Sequence, residues 1–389
     1  MPIRILVLTT HLTRDQAGGA KAVLTILSKL ASEKDFDVSL CCIDFDQRDL
    51  PAGLAVQQMS PYPSRRFFWR IPSFLSVGVW KKCLAGVPLP SVDVMYCNNI
   101  YLAKAYRSLF PGVPILTHTG AVITSQEVKE EFEGSPLWRR IEQYLADHIE
   151  KSIYRESLWT HIVSTPLVGK MRAEHFGLPP EKFVSLPFGF DPERFHPPLS
   201  RAEARRDVGL NPELFTFITV ARLVDWKRVD MVLNALGGIS EPFQYLVVGD
   251  GPARPQLEKQ AEANGLKDRV HFAGWKDPVK YLHAANVFVL PSRIESFGLV
   301  YAEAMMTGLP CIGSKHSPPA IISSAEDVIQ DGVTGFVIGS TEELREKLRL
   351  LLFDPALCER MGQAARCHAL AEFSLERYVS TLRNLIHAT

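Results

Sequence analysis

At 389 residues the chain is too long for one ordinary α/β domain and fits two. Hydrophobic residues make up 46% and charged residues 22%, the balance of a globular protein with real cores. Lysine plus arginine and aspartate plus glutamate number 43 each, and that neutrality argues against a dedicated nucleic-acid binder, which is usually basic.

Residues 3–9 read as a buried first strand. No small-residue cleavage site follows them, so a signal peptide is not expected. Gly18 and Gly19 open a helical pattern carried by Leu24, Leu27 and Leu30. A second strand over 38–43 holds the neighbours Cys41 and Cys42. The seven cysteines are scattered without a metal-binding CxxC pair, as expected for reduced thiols in a cytosol. Strands follow at 92–96, 114–117 and 161–165, each leading into a helical stretch. Strands alternating with helices imply a parallel sheet covered on both faces. A Pro/Gly-rich crossing, Leu186-Pro187-Phe188-Gly189-Phe190-Asp191-Pro192 and then His196-Pro197-Pro198, places a boundary near residue 192. The pattern restarts with six strands, at 215–220, 245–248, 270–272, 287–290, 310–313 and 335–338. Two doubly wound domains facing each other leave a cleft at the C-terminal ends of their strands, where ligands bind. No stretch approaches the roughly 20 apolar residues of a membrane-spanning helix.

The chemistry concentrates in the second half, at four strand ends. The first runs from Glu295 through Ser296, Phe297, Gly298, Leu299 and Val300 to Glu303 and Pro310. Helix propensity begins at about Gly298, so the N–H groups of Gly298, Leu299 and Val300 are open to an anion such as phosphate. Glycine there allows close approach to the backbone. Glu295 precedes the helix and Glu303 lies about a turn and a half inside it, so both can face one extended ligand. Carboxylates only accept, which suits sugar and ribose hydroxyls. The second place holds Arg222 and Lys227, two cations able to neutralise a diphosphate leaving group. The third is Gly249-Asp250-Gly251-Pro252, and the fourth is Ala273-Gly274-Trp275-Lys276, placed to flank a base. Singly, each is as well explained by a solvated helix, a surface charge or a turn. In this order, each at a strand end, they point to one site.

Residues 295–310 resemble the E-x7-E motif of retaining GT-B glycosyltransferases, glycosyl transferase family 4 (group 1). Arg222 with Lys227, residues 249–252, 270–275 and Gly189-Phe190-Asp191 match in order and spacing. The resemblance covers residues 186–312 most strongly. It implies an α/β GT-B fold of two Rossmann-like domains facing across a cleft. The boundaries are 1–192 for the acceptor domain and 193–372 for the nucleotide-sugar donor domain, with a C-terminal helix over 373–389 packing back on the first. By this likeness Arg222 and Lys227 bind diphosphate, Glu303 binds ribose and Glu295 binds the sugar hydroxyls. The backbone of Phe297, Gly298, Leu299 and Val300 holds sugar and phosphate, with Gly251 and Trp275 also at the donor. Gly18 and Gly19 are either the family's glycine loop over the donor phosphates or a plain strand-to-helix turn. His118, in Thr117-His118-Thr119-Gly120, resembles the family's histidine beside the reacting sugar; a structural histidine is the alternative.

The implied activity is retaining transfer from a nucleotide-diphosphate sugar, a UDP-sugar first, to a hydroxyl of a glycan, a lipid-linked glycan or a small natural-product acceptor. Attack on the same face as departure is expected. No cofactor and no metal are expected, because the cations neutralise the leaving group. Asp44-Phe45-Asp46 is a DxD, the metal-binding pattern of the other glycosyltransferase fold, and reads here as a solvated strand end. A nucleotide-sugar epimerase or a phosphorylase of the same overall fold is the alternative activity. A nicotinamide dehydrogenase is disfavoured because no strand is followed by GxGxxG.

Two departures from the family pattern stand out. Residues 317–332 look longer than the usual glycine-rich turn with Pro-Glu. Phe188-Gly189-Phe190 also stands where Asn-Gly-Val is frequent. Basic and aromatic residues interleave over 65–82, including Arg65, Arg66, Trp69, Lys81 and Lys82, which suits either an anionic membrane surface or a solvated loop over an aromatic cluster. The acidic run at 127–133 could meet a cationic acceptor or form a solvated helix face. The expected location is cytoplasmic, with peripheral contact on the inner face of the membrane.

Overall fold

A computed structural model describes residues 1–12, 19–59, 73–119, 136–197 and 200–388. The chain divides into two compact units, Met1–Gly189 with Leu375–Thr389, and Phe190–Ser374.

The first unit is built on seven parallel strands: β1 (Ile3–Leu8), β2 (Phe36–Cys42), β3 (Ala55–Gln58), β4 (Val94–Cys97), β5 (Ile115–Thr119), β6 (Trp159–Val163) and β7 (Phe183–Ser185). Their order is β3-β2-β1-β4-β5-β6-β7. The central strands are near-continuous apolar runs because helices cover both faces. Val94–Cys97 is buried at every position. The two strands that the apolar pattern does not reveal, β3 and β7, are the edges of the sheet. They are short and only partly buried, so they carry little hydrophobic signal.

Helix boundaries follow ordinary capping chemistry. In the helix Pro166–Phe176, Thr165 accepts a hydrogen bond from Val168 N, proline starts the first turn, and Gly177 closes the last in the left-handed region. The last helix of the chain, α1 (Leu375–Ala388), belongs to the first unit. Its Leu375, Tyr378, Val379, Leu382 and Ile386 are buried, the i, i+3, i+4 spacing of an amphipathic helix. Arg383 pairs with Glu33 at 3.0 Å and lies over the Phe36 ring.

The second unit has six parallel strands: β8 (Thr216–Val220), β9 (Gln244–Val248), β10 (Val270–Gly274), β11 (Val287–Leu290), β12 (Cys311–Ser314) and β13 (Gly335–Ile338). The order is β10-β9-β8-β11-β12-β13, again with every pair parallel. On one face of this sheet Phe217, Tyr245, Val247 and Val289 pack in a buried cluster with Leu233, Leu344 and Leu348 of the helices. Strand order reverses between β8 and β11. The chain leaves these neighbours in opposite directions, so their C-terminal ends stay open to a ligand. Among the described residues no helix is long and apolar enough to cross a membrane, and all seven cysteines are free thiols.

Candidate functional site

The two loops that leave the switch-point strands of the second unit are stitched together. After β8, residues Asp225–Lys227 form a single 3-10 turn. After β11, Pro291-Ser292-Arg293 leads to the two-residue strand Ile294–Glu295. Arg293 N donates to Trp226 O at 2.7 Å. Lys227 Nζ donates to Glu295 Oε2 at 2.7 Å, and both side chains are largely buried. Ser292, fully buried, donates its Oγ proton to the same carboxylate oxygen at 3.3 Å. Lys227 and Glu295 stand 68 positions apart, so only the sheet brings them together.

Residues 317–332, the longer stretch, give Glu295 its backbone support. Ser317 and Ile321 exchange two 2.9 Å hydrogen bonds. Ile322–Ser323 then pairs with Ile294–Glu295 in parallel, and Ser324 N donates to Glu295 O at 2.9 Å.

Gly298 is the N-cap of helix α2 (Leu299–Met306) and has φ +71. A Cβ there would lie 2.3 Å from Tyr301 Cδ2. Glycine at this position is therefore demanded by the backbone and by Tyr301, whatever approaches from outside. Tyr301 is fully buried and donates its hydroxyl proton to Leu290 O, the end of β11. Its ring thus clamps the helix start to the strand. The first N–H groups of α2 have no carbonyl one turn earlier in the helix to bind, which leaves donors at Leu299 and Val300 on a partly exposed surface. Glu303 lies on α2, partly exposed. The Phe297 side chain is buried, stacked near Phe190 and edge-on to Phe373, so it offers a ligand only its backbone.

The third and second places predicted from sequence meet directly. Gly249 has φ +136, and a Cβ on it would sit 1.8 Å from Ala221 O. Leu223 N donates to Asp250 O, and Ala253 N donates to Leu223 O. These bonds hold the backbone around Arg222, whose side chain is exposed beyond β8. Gly251 packs against Leu223 backbone, where a Cβ would be 2.3 Å from the carbonyl oxygen. Trp275 follows the edge strand β10 and is well exposed.

In the first unit, His118 lies on β5 and is buried. Its Nδ1 meets the hydroxyls of Tyr378 at 2.9 Å and Tyr96 at 3.2 Å. Gly19 begins the helix Gly19–Ser32, while Gly18 lies outside the described residues, as do 60–72 and 127–133. Lys81 and Lys82 are exposed on the helix Ser73–Ala85. Asp46 caps the turn Gln47–Asp49, accepting from Arg48 N, and pairs with the Arg48 guanidinium at 2.6 Å.

Ser292, Tyr301 and Ser324 were not singled out from sequence.

These features define the class: two Rossmann-like units in one chain, the GT-B fold. Residues 200–368 match the family model described as glycosyl transferases group 1. Among curated proteins it is similar to the N-acetyl-alpha-D-glucosaminyl L-malate synthase of Bacillus anthracis, 30% identical over 213 residues, 54% of each chain. It is also similar to a GDP-mannose-dependent monoacylated alpha-(1-6)-phosphatidylinositol monomannoside mannosyltransferase of Corynebacterium glutamicum. That match is 30% identical over 222 residues, 53% of this chain and 56% of the relative. The chain thus aligns with about half the length of the curated relatives it matches. Among solved structures, Anabaena Alr3699/HepE in complex with UDP-glucose superposes with a TM-score of 0.73 over all of both chains at 19% identity, a likeness of fold.

The Gly298 environment gives a direct test. An L-residue in the left-handed region costs about 1–2 kcal/mol. Gly332, with φ +73 and nothing within 4 Å of a Cβ, isolates that cost. Gly298→Ala is expected to lower the thermal midpoint clearly further than Gly332→Ala, because the Tyr301 ring must also move. Equal losses in the two variants would show that the ring does not clamp this helix start.

Proposed function

We propose that the protein is a retaining glycosyltransferase that moves a sugar from a UDP-sugar to a hydroxyl group. The Lys227–Glu295 pair beside the open start of α2 carries this reading. A cation, a carboxylate and unpaired backbone donors meet at the switch point of a sheet within a group 1 domain. Lys227 and Arg222 would face the diphosphate, with the N–H groups of Leu299 and Val300 beside them. Glu295 would accept hydrogen bonds from the sugar hydroxyls and Glu303 from the ribose.

In the step itself, the bond from the anomeric carbon to the β-phosphate oxygen breaks. A bond to the acceptor oxygen forms on the same face, and the acceptor proton passes to the departing diphosphate. Charge grows on that diphosphate, so fixed cations there stabilise the transition state more than the ground state. They take the place a metal would otherwise fill, so activity should not need one. The names of the relatives mark two donor chemistries and two acceptor classes, a small hydroxy acid and a lipid-linked mannoside.

A screen of UDP- and GDP-sugars with hydroxylated acceptors, reading nucleotide diphosphate release and product mass, is expected to give UDP and a glycosylated product, undiminished in EDTA. Turnover of GDP-sugars alone would overturn the UDP assignment. Activity lost in EDTA and restored by manganese would return Asp44 and Asp46 to the centre.

For a lipid-linked acceptor, the basic residues of 65–82 would hold the protein at an anionic membrane. Each is worth about 1 kcal/mol near such a surface. Replacing Arg65, Arg66, Lys81 and Lys82 with Ser should reduce sedimentation with phosphatidylserine-containing vesicles at low salt. A wild-type protein that never sediments with them would end that reading.

A further inference from the structure

His118 is buried, and its second ring nitrogen, Nε2, has no partner among the described residues. Three more buried polar atoms at this end of the sheet are likewise unpartnered among the described residues: Thr9 Oγ1, Asn98 Oδ1 and Thr119 Oγ1. They follow or end β1, β4 and β5, adjacent strands whose order reverses between β1 and β4. Buried polar atoms are rarely left unpaired, so the C-terminal end of this sheet is arranged for a polar ligand.

The inward side of His118 is fully occupied. The hydroxyls of Tyr96 and Tyr378 are 3.0 Å apart and both reach Nδ1. Phe188 lies flat on the imidazole, with ring centroids 4.2 Å apart and planes 14° from parallel. Gly189 allows α1 to sit directly on this segment, since a Cβ there would come within 2.6 Å of Tyr378 Cβ. Phe188, one of the departures from the family pattern, thus forms one wall of the histidine's pocket.

Counting protons selects one tautomer once an oxygen accepts at Nε2, since either tautomer otherwise leaves one proton unpaired. The triangle contains two hydroxyl protons. If Nδ1 accepts from Tyr378, Tyr96 donates to the Tyr378 oxygen, and both protons are used along the two shorter sides. If Nδ1 carried a proton and donated to Tyr378, Tyr378 would donate to Tyr96, and the Tyr96 proton would have no acceptor within the triangle. Burial without an acidic partner keeps the ring neutral, lowering its pKa to about 3. With a ligand oxygen accepting there, every proton is paired only when the ring proton sits on Nε2.

We propose that Tyr378, brought by the C-terminal helix, is a positioning residue that with Tyr96 locks His118 as the Nε2–H tautomer. Nε2 is then a hydrogen-bond donor for an oxygen of the sugar substrate. The substrate assignment rests on the glycosyltransferase reading; the tautomer does not.

Two readouts separate them. In protein labelled with 15N-histidine, with the His118 signals identified by their loss in His118→Gln, the wild type should show a protonated Nε2 and an unprotonated Nδ1. Tyr378→Phe keeps the ring and removes the hydroxyl. It should give a mixed tautomer and about a tenfold lower kcat, with the KM for the donor sugar and the affinity for UDP unchanged. Tyr96→Phe leaves the Tyr378-to-Nδ1 bond in place and should cost less than about threefold. A proton on Nδ1 in the wild type, or a tautomer and kcat unmoved in Tyr378→Phe, would overturn the proposal. A locked Nε2–H tautomer in a protein that transfers no sugar would leave the clamp standing and refute its assigned substrate.

Discussion

The arrangement at the candidate donor site depends on one contact, the ion pair between Lys227 and Glu295. It exists because β8 and β11 are neighbours in the sheet while the chain departs from them in opposite directions. Each strand end can then extend a loop over the gap without colliding with the other. The Arg293–Trp226 backbone bond draws the two loops together, and the pair closes the join. A buried ion pair is a poor source of stability, because desolvation offsets much of the attraction. Its value here is positional. Each charge holds the other in place beside Gly298, where a Cβ would lie 3.2 Å from Glu295 Cγ.

The supporting contacts follow from the same constraint. The ring of Tyr301 must pass beneath Gly298 to reach the end of β11, which forces a residue without a Cβ into the left-handed region. Gly249 and Gly251 let the loop after β9 lie against backbone of residues 221–223. Three loops from adjacent strands therefore form one rigid rim, and most of the glycines serve backbone packing. Functional groups fixed on strand ends are held more accurately than groups on free loops.

Much of this was legible in the sequence, for physical reasons. Interior strands of a parallel sheet are continuous apolar runs, so β11 and β13 can be read to their last residue. Edge strands are short and half exposed, so Ala55–Gln58 and Phe183–Ser185 leave no such trace. Motif spacing placed Glu295, Gly298 and Glu303 around one helix start, because these lie within a few residues of each other. It could not show what Lys227 touches, since that contact spans the fold. Nor could it show the surroundings of His118, which depend on a tyrosine 260 positions away on a helix that returns to the first unit. The glycine at 298 illustrates a subtler gap. The residue is identifiable from sequence, but the ring that makes it necessary is visible only in three dimensions.

The central claim is that the start of α2 is the donor site, with the sugar end at Glu295 and the ribose end at Glu303. The most direct measurement is calorimetric binding of free UDP, which has no sugar, to the wild type, Glu295→Ala and Glu303→Ala. A hydrogen bond to a charged group is worth about 1.5–3 kcal/mol. Glu303→Ala should therefore bind UDP at least about tenfold more weakly, while Glu295→Ala stays close to the wild type. Equal weakening in both variants, or no change in either, would contradict the account.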